Sequence, residues 1–156
     1  MNFGCNRLKT LAAAALALLL VIGILPVQAQ QPSGSKSRVV LQVSDGDAAK
    51  WNLALNNARN LQADLGAGNV DIEIVAYGPG LHMLRSDSSP VQDRIKRLKD
   101  TVFPGKIQFS ACNNTKQGME KAEGRAVSIV PEATIVPSGV VRLMELQEQG
   151  WSYVRP

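Results

Sequence analysis

The sequence predicts an α/β domain: a three-layer α/β/α arrangement around a mostly parallel five-stranded sheet. Two observations lead there. Short β-branched runs alternate with segments whose apolar residues recur every three or four positions. Glycine, proline, aspartate and asparagine separate these runs, and strands that alternate with helices are joined by right-handed crossovers into parallel sheets.

The elements follow in order. Arg38 to Ser44 (RVVLQVS) is the first strand. Asp45-Gly46-Asp47 is a turn, with Asp47 placed to cap the next helix. Trp51, Leu55, Ala58, Leu61 and Leu65 trace one face of a helix over residues 48–65, and Gly66 and Gly68 suit its end. Asn52, Asn56, Asn57 and Asn60 are poor interior helix formers, so packing must hold this helix. Val70 to Tyr77 (VDIEIVAY) is the second strand, followed by Gly78-Pro79-Gly80 and a short helix over residues 81–84. Asp87-Ser88-Ser89-Pro90 starts another helix, striped by Val91, Ile95, Leu98 and Val102 and broken at Pro104-Gly105. That stripe assigns Arg94, Lys96, Arg97 and Lys99 to the solvated face, where an anionic partner could use them.

Lys106 to Ala111 (KIQFSA) is the third strand and leads to Cys112. Asn113, Asn114 and Thr115 read as capping residues for a helix over residues 115–122, ended by Gly124. The fourth strand falls at residues 126–130 or, between Pro131 and Pro137, at 134–136. Ser138 caps a helix running to about Gln149, and Trp151 to Arg155 is the last strand.

The amino terminus carries a different message. Arg7 and Lys9 precede an apolar run from Leu11 to Leu25, and Pro26 and the small residues of Val27-Gln28-Ala29 follow. This is the layout of a secretory signal peptide over residues 1–29, and the run is short for a bilayer span. Residues 30–37, rich in serine with Pro32 and Gly34, form a flexible spacer, and residues 38–156 form the domain. The expected product is periplasmic, with no stable membrane insertion after cleavage. Cleavage removes Arg7 and Lys9, so the formal charge falls from +4 to +2, which gives no electrostatic case for nucleic acid. It also removes Cys5 and leaves Cys112 as the only thiol. In an oxidising compartment an unpaired thiol must be buried, modified, paired between chains or used.

Cys112 stands where a strand hands over to a helix, and strand carboxyl ends are where chemistry gathers in such sheets. Unpaired N–H groups and the helix dipole there favour the thiolate, the reactive form. Lys116 adds positive charge if it folds back, and small Ser110 and Ala111 leave access to the sulfur. The bland reading is a buried, inert cysteine. His82, the only histidine, follows the glycine-proline turn and is a candidate base for Cys112; otherwise it is a surface or packing residue. Asp45 and Asp47 are too few for a metal site. With no G-x-G-x-x-G or Walker pattern, no cofactor is expected.

Several segments together resemble the DsrE/DsrF-like family: VVLQVSDGD at 39–47, ARNL at 58–61, VDIEIVAYGPGLHML at 70–84, FSACNNT at 109–115 and VPSGVVRLMELQEQGWSYVRP at 136–156. The resemblance implies a parallel-sheet domain that forms homo-oligomers, trimers or hexamers, and a link to sulfur metabolism. It also implies sulfur carried as a persulfide on a cysteine, here Cys112 by position, with a donor or acceptor protein as partner. This chain departs from the known relays in looking exported and in the local motif Cys112-Asn113-Asn114-Thr115. The competing expectation is a non-catalytic oligomeric module that binds a small ligand or a partner.

Overall fold

The computed structural model describes residues 36–100 and 105–156. The signal-peptide reading, Cys5, most of the spacer, Val102 and Pro104 lie outside the described residues. Among the described residues no helix is long and apolar enough to cross a membrane.

Five strands form one sheet: β1 (Ser37–Val43), β2 (Val70–Ala76), β3 (Lys106–Cys112), β4 (Ala133–Val136) and β5 (Ser152–Val154). Their order is β4-β3-β2-β1-β5 and every pairing is parallel. The helices are α1 (Ala48–Leu65), α2 (Gln92–Asp100), α3 (Asn113–Glu123) and α4 (Gly139–Glu148), with a 3-10 segment at Gly78–Leu84.

Chain order explains the layers. From β1 to β4 each new strand is added on the same side of the last, so right-handed crossovers put every intervening helix on one face. That face carries the large core. Trp51 and Leu55 of α1, Leu81 and Leu84 of the 3-10 segment and Ile95 of α2 close over Leu41, Ile72, Ile74 and Phe109. The step from β4 to β5 runs back across the whole sheet, which reverses the face. Among the described residues helix α4 is therefore the one helix on the other side, with Leu143 and Leu146 against Val40 and Val75. Full burial of Phe109 means that its truncation to alanine would cost about 3–5 kcal/mol.

Local signals were read correctly at most ends. The Asp47 carboxylate accepts from the Ala49 N–H at 2.8 Å, and Ser138 Oγ accepts from the Val141 N–H at 3.4 Å. Four expectations are corrected. Leu65, the last residue of α1, is 42% exposed; the buried residues of α1 are Trp51, Ala54, Leu55 and Ala58, all in its first three turns. Residues 126–130 do not form the fourth strand; Ile129 makes one isolated antiparallel bridge to Arg85. Asn113, Asn114 and Thr115 do not precede their helix but form its first turn, since α3 begins directly at the end of β3. The basic stretch of α2 is not uniformly solvated: Lys96 is exposed and pairs with Asp100, but Arg94 is drawn onto α1.

Candidate functional site

Reversal of direction in the sheet makes a crevice. The chain leaves β3 toward one face, into α3, and leaves the neighbouring β4 toward the other, into α4. Adjacent strand ends whose connections diverge leave an opening at the carboxyl edge, the place where ligands bind in open α/β sheets. Cys112 stands there, paired in register with Val136.

Cys112 is both the last residue of β3 and the cap residue of α3. Gly139, first residue of α4, approaches it from the other side. A methyl group on Gly139 would lie 2.9 Å from Tyr77 Cβ and 3.2 Å from Cys112 Cβ, so only glycine lets α4 start this close. Two helix amino termini thus meet at one sulfur. The backbone N–H groups of Gly139, Thr115 and Asn114 and the Thr115 hydroxyl are the donors that favour its charged form. The Asn114 N–H also reaches the Pro137 carbonyl, at 3.3 Å, which ties the two helix starts together.

Thr115 is oriented for this task. Its Oγ1 accepts from the Gly78 N–H at 2.9 Å, which leaves its own proton to donate to the sulfur. The Gly78 turn is held in turn by Gly80, whose N–H donates to the Ser44 carbonyl at 3.1 Å. A methyl group at Gly80 would fall 2.2 Å from the Val43 carbonyl oxygen, so this turn tolerates no side chain.

The electrostatics follow from the contacts. Burial, the largest influence, pushes the Cys112 thiol up; the Thr115 hydroxyl and the N–H groups of Gly139, Thr115 and Asn114 together outweigh it, and the pKa lies below its ordinary 9.0. The residue is only 5% exposed. It is buried, as the bland reading expects, and the groups that favour its charged form are polar donors at a helix junction.

Beneath the site, Glu73 of β2 is 2% exposed and accepts from Ser110 at 2.7 Å and from two Arg142 nitrogens at 2.8 Å each. Arg142 lies one turn into α4, so this ion pair pins the start of α4, and with it the Gly139 N–H, over β2 and β3. Tyr77 walls the site at Gly139; burial first, then Tyr153, raises its pKa. On the β4 side a cavity of about 260 Å³ is lined by Val136, Pro137, Ser138, Val141, Arg142 and Glu145.

His82 lies on the 3-10 segment, one turn past Gly78, and is half-buried. Among the described residues its side chain makes no hydrogen bond, so the structure does not join it to Cys112. Lys116 does not fold back: it pairs with Glu120 at 2.6 Å. Ser110 and Ala111 are fully buried and open no path to the sulfur. Asp47 is spent as a helix cap, and Asp45 receives the Trp51 indole on its carbonyl.

The DsrE/DsrF-like family profile matches residues 37–156, the whole sheet and its helices. The chain belongs to the DsrE/DsrF-like family. It is also similar to a solved protein of unknown function from Methanobacterium thermoautotrophicum, with 34% identity and a TM-score of 0.66 over 78% of this chain and 100% of that one. No curated protein sequence matches it. Within this DsrE/DsrF-like domain, sequence reasoning located the sulfur and missed Gly139, Tyr77, Glu73 and Arg142. One signal was readable: a lone glutamate in the second strand demands a buried cation, and Arg142 is the basic residue nearest the start of α4.

Proposed function

We propose that this DsrE/DsrF-like protein is an exported, homo-oligomeric sulfur carrier that accepts sulfur as a persulfide on Cys112 and hands it on. The observation that carries the reading is the meeting of two helix amino termini and the Thr115 hydroxyl at one thiol. In the loading step the Cys112 thiolate attacks the outer sulfur of a donor persulfide, R–S–SH. A new S–S bond forms, the R–S bond to that sulfur breaks, and R–S⁻ leaves with the electron pair. In the unloading step an acceptor thiolate attacks the outer sulfur of Cys112–S–SH, and Cys112 leaves as thiolate. Neither step needs an oxidant or reductant.

A lowered pKa serves both directions. It populates the nucleophile in loading and makes Cys112 a better leaving group in unloading. The N–H groups of Gly139, Thr115 and Asn114 would stabilise negative charge on either sulfur. His82 is kept as a proton carrier for the departing donor thiol, not as the base for Cys112. Homo-oligomer formation, as a trimer or hexamer, is supported by half-exposed Ile135 on edge strand β4 and Val140, Val141 and Met144 on α4. Export to the periplasm rests on residues 1–29.

Intact mass after incubation with a polysulfide tests the carrier role. The expected result is a gain of about 32 Da that dithiothreitol removes and Cys112→Ser abolishes. An adduct that survives in Cys112→Ser, or none at all, rejects it. The second reading, a non-catalytic binding module, is favoured by the 5% exposure of Cys112. A thiol that labels only after denaturation would decide for that reading.

A further inference from the structure

The asparagines of α1 and the basic residues of α2 have no part in the sulfur site, yet they meet. Arg94 donates through Nη1 to Asn52 Oδ1 and through Nη2 to Asn56 Oδ1, the latter at 2.8 Å. Asn52 and Asn56 stand four residues apart on one face of α1, which is the spacing needed to grip both guanidinium nitrogens. The grip has an unusual character. A guanidinium is normally held by carboxylates, which fix its position and cancel its charge. Carboxamides fix the position and leave the charge in place.

That charge borders a cleft. A cavity of about 300 Å³ between α1 and α2 is lined by Leu55, Arg59, Gln62, Arg94, Arg97 and Leu98. Three of these side chains are guanidinium groups, and no carboxylate lines the cavity among the described residues. Arg59 makes no hydrogen bond or ion pair with any described residue. The Gln62 amide nitrogen is buried and has no partner among the described residues. Three guanidinium side chains and two leucines thus line one small opening, and the unsatisfied Gln62 amide nitrogen is buried in its wall. A buried donor left unpaired costs free energy, and a bound acceptor recovers it.

We propose that this cleft is a binding site for a small oxyanion carrying two negative charges, phosphate or a sulfur oxyanion, held by Arg59, Arg94 and Arg97 with the Gln62 amide. The volume lies at the small end of ligand pockets, which suits a tetrahedral anion or the anionic head of a slightly larger molecule. The proposal stands apart from the sulfur-carrier reading: it uses other residues on the opposite layer from α4, and it holds whether or not Cys112 takes up sulfur.

Calorimetric titration of the purified protein with inorganic phosphate and, separately, with thiosulfate tests it, with nitrogen-15 NMR following the Gln62 side-chain amide. Saturable binding of at least one anion, a moved Gln62 amide signal and weakening by added sodium chloride are expected. Arg59→Gln, at an exposed position, should weaken binding about tenfold, the loss of one charge-assisted hydrogen bond. The double substitution Asn52→Asp/Asn56→Asp is the sharper arm, because it keeps Arg94 in place and neutralises it. It should weaken binding by more than Arg59→Gln does, while Cys112→Ser leaves affinity unchanged. Failure of both anions to saturate, or equal affinity in the Asn52→Asp/Asn56→Asp protein, would overturn the proposal. Stronger binding of phosphate than thiosulfate assigns the site to phosphate compounds, and the reverse order assigns it to sulfur oxyanions.

Discussion

At Cys112 two influences oppose each other. Enclosure disfavours the thiolate, and hydrogen-bond donors on the enclosing groups favour it more. The donor most open to test is Thr115, because a side chain can be exchanged where a backbone N–H cannot. Thr115→Val keeps the shape and removes the hydroxyl. Iodoacetamide labelling at pH 7 should slow about fivefold, the worth of one net hydrogen bond of about 1 kcal/mol, and Thr115→Ser should restore it. Equal rates in all three proteins would remove Thr115 from the account. The lowered pKa also fixes a sign. A thiol whose folded pKa lies below its ordinary 9.0 contributes stability that is fully present above 9.0 and is lost as pH falls through the folded value. The melting-temperature advantage of the native protein over Cys112→Ser should therefore grow as pH rises toward 9; a flat difference would contradict it.

Much of this site was legible in the order of residues, and the part that was not has a physical reason. The strand-to-helix handover put Cys112 at a helix start, and a local pattern reveals that. The second helix start, at Gly139, is supplied by a segment on the far side of β4, and nothing local to Cys112 announces it. Thr115 was visible as a residue type and misread as a cap, because its true partner, Gly78, is 37 positions away. Arg94 was misread for the same reason: its charge pattern is that of a solvated helix face, and only the packing of α2 against α1 brings Asn52 and Asn56 to it.

Among the elements, α4 has the smaller of the two cores as its seat. It packs on its face of the sheet through Leu143 and Leu146, partly flanked by Tyr77 and Trp151, and its register is fixed by Arg142 on Glu73. Removing one partner of a buried ion pair leaves the other charged and unpaired. Arg142→Ala should cost about 3 kcal/mol by urea unfolding, at the low end for such pairs because Arg142 is partly exposed. Replacing both, Glu73→Gln with Arg142→Met, should recover most of that. If the single and double variants are equally destabilised, the pair does not hold α4. A second brace ties the chain after the 3-10 segment to the end of α3. Buried Arg85 joins Asp87 and Glu123, and Arg125 joins both carboxylates from outside. The Arg85 and Arg125 hydrogen bonds hold the Asp87 carboxyl well below the usual carboxylate range.

For the molecule as a whole, strand order decides what lies where. One reversal of direction opens the crevice at Cys112, puts α4 on the face opposite the other described helices and leaves Ile135, Val140 and Met144 half-exposed beside the site. Contact between subunits through this surface would bring the rim of the sulfur site into the assembly. If the chain assembles through this surface, Val140→Glu with Met144→Glu should lower the sedimenting mass relative to the native protein; an unchanged mass would count against that contact.

The same reversal has a temporal consequence. The Gly139 N–H and all of α4 come after Cys112 in the chain, and β5, which flanks β1, comes after them. Until α4 arrives, the Cys112 thiol lacks the Gly139 N–H, one of the four donors that favour its charged form. A growing polypeptide thus carries a dull cysteine, and it is sharpened only when α4 has emerged and docked.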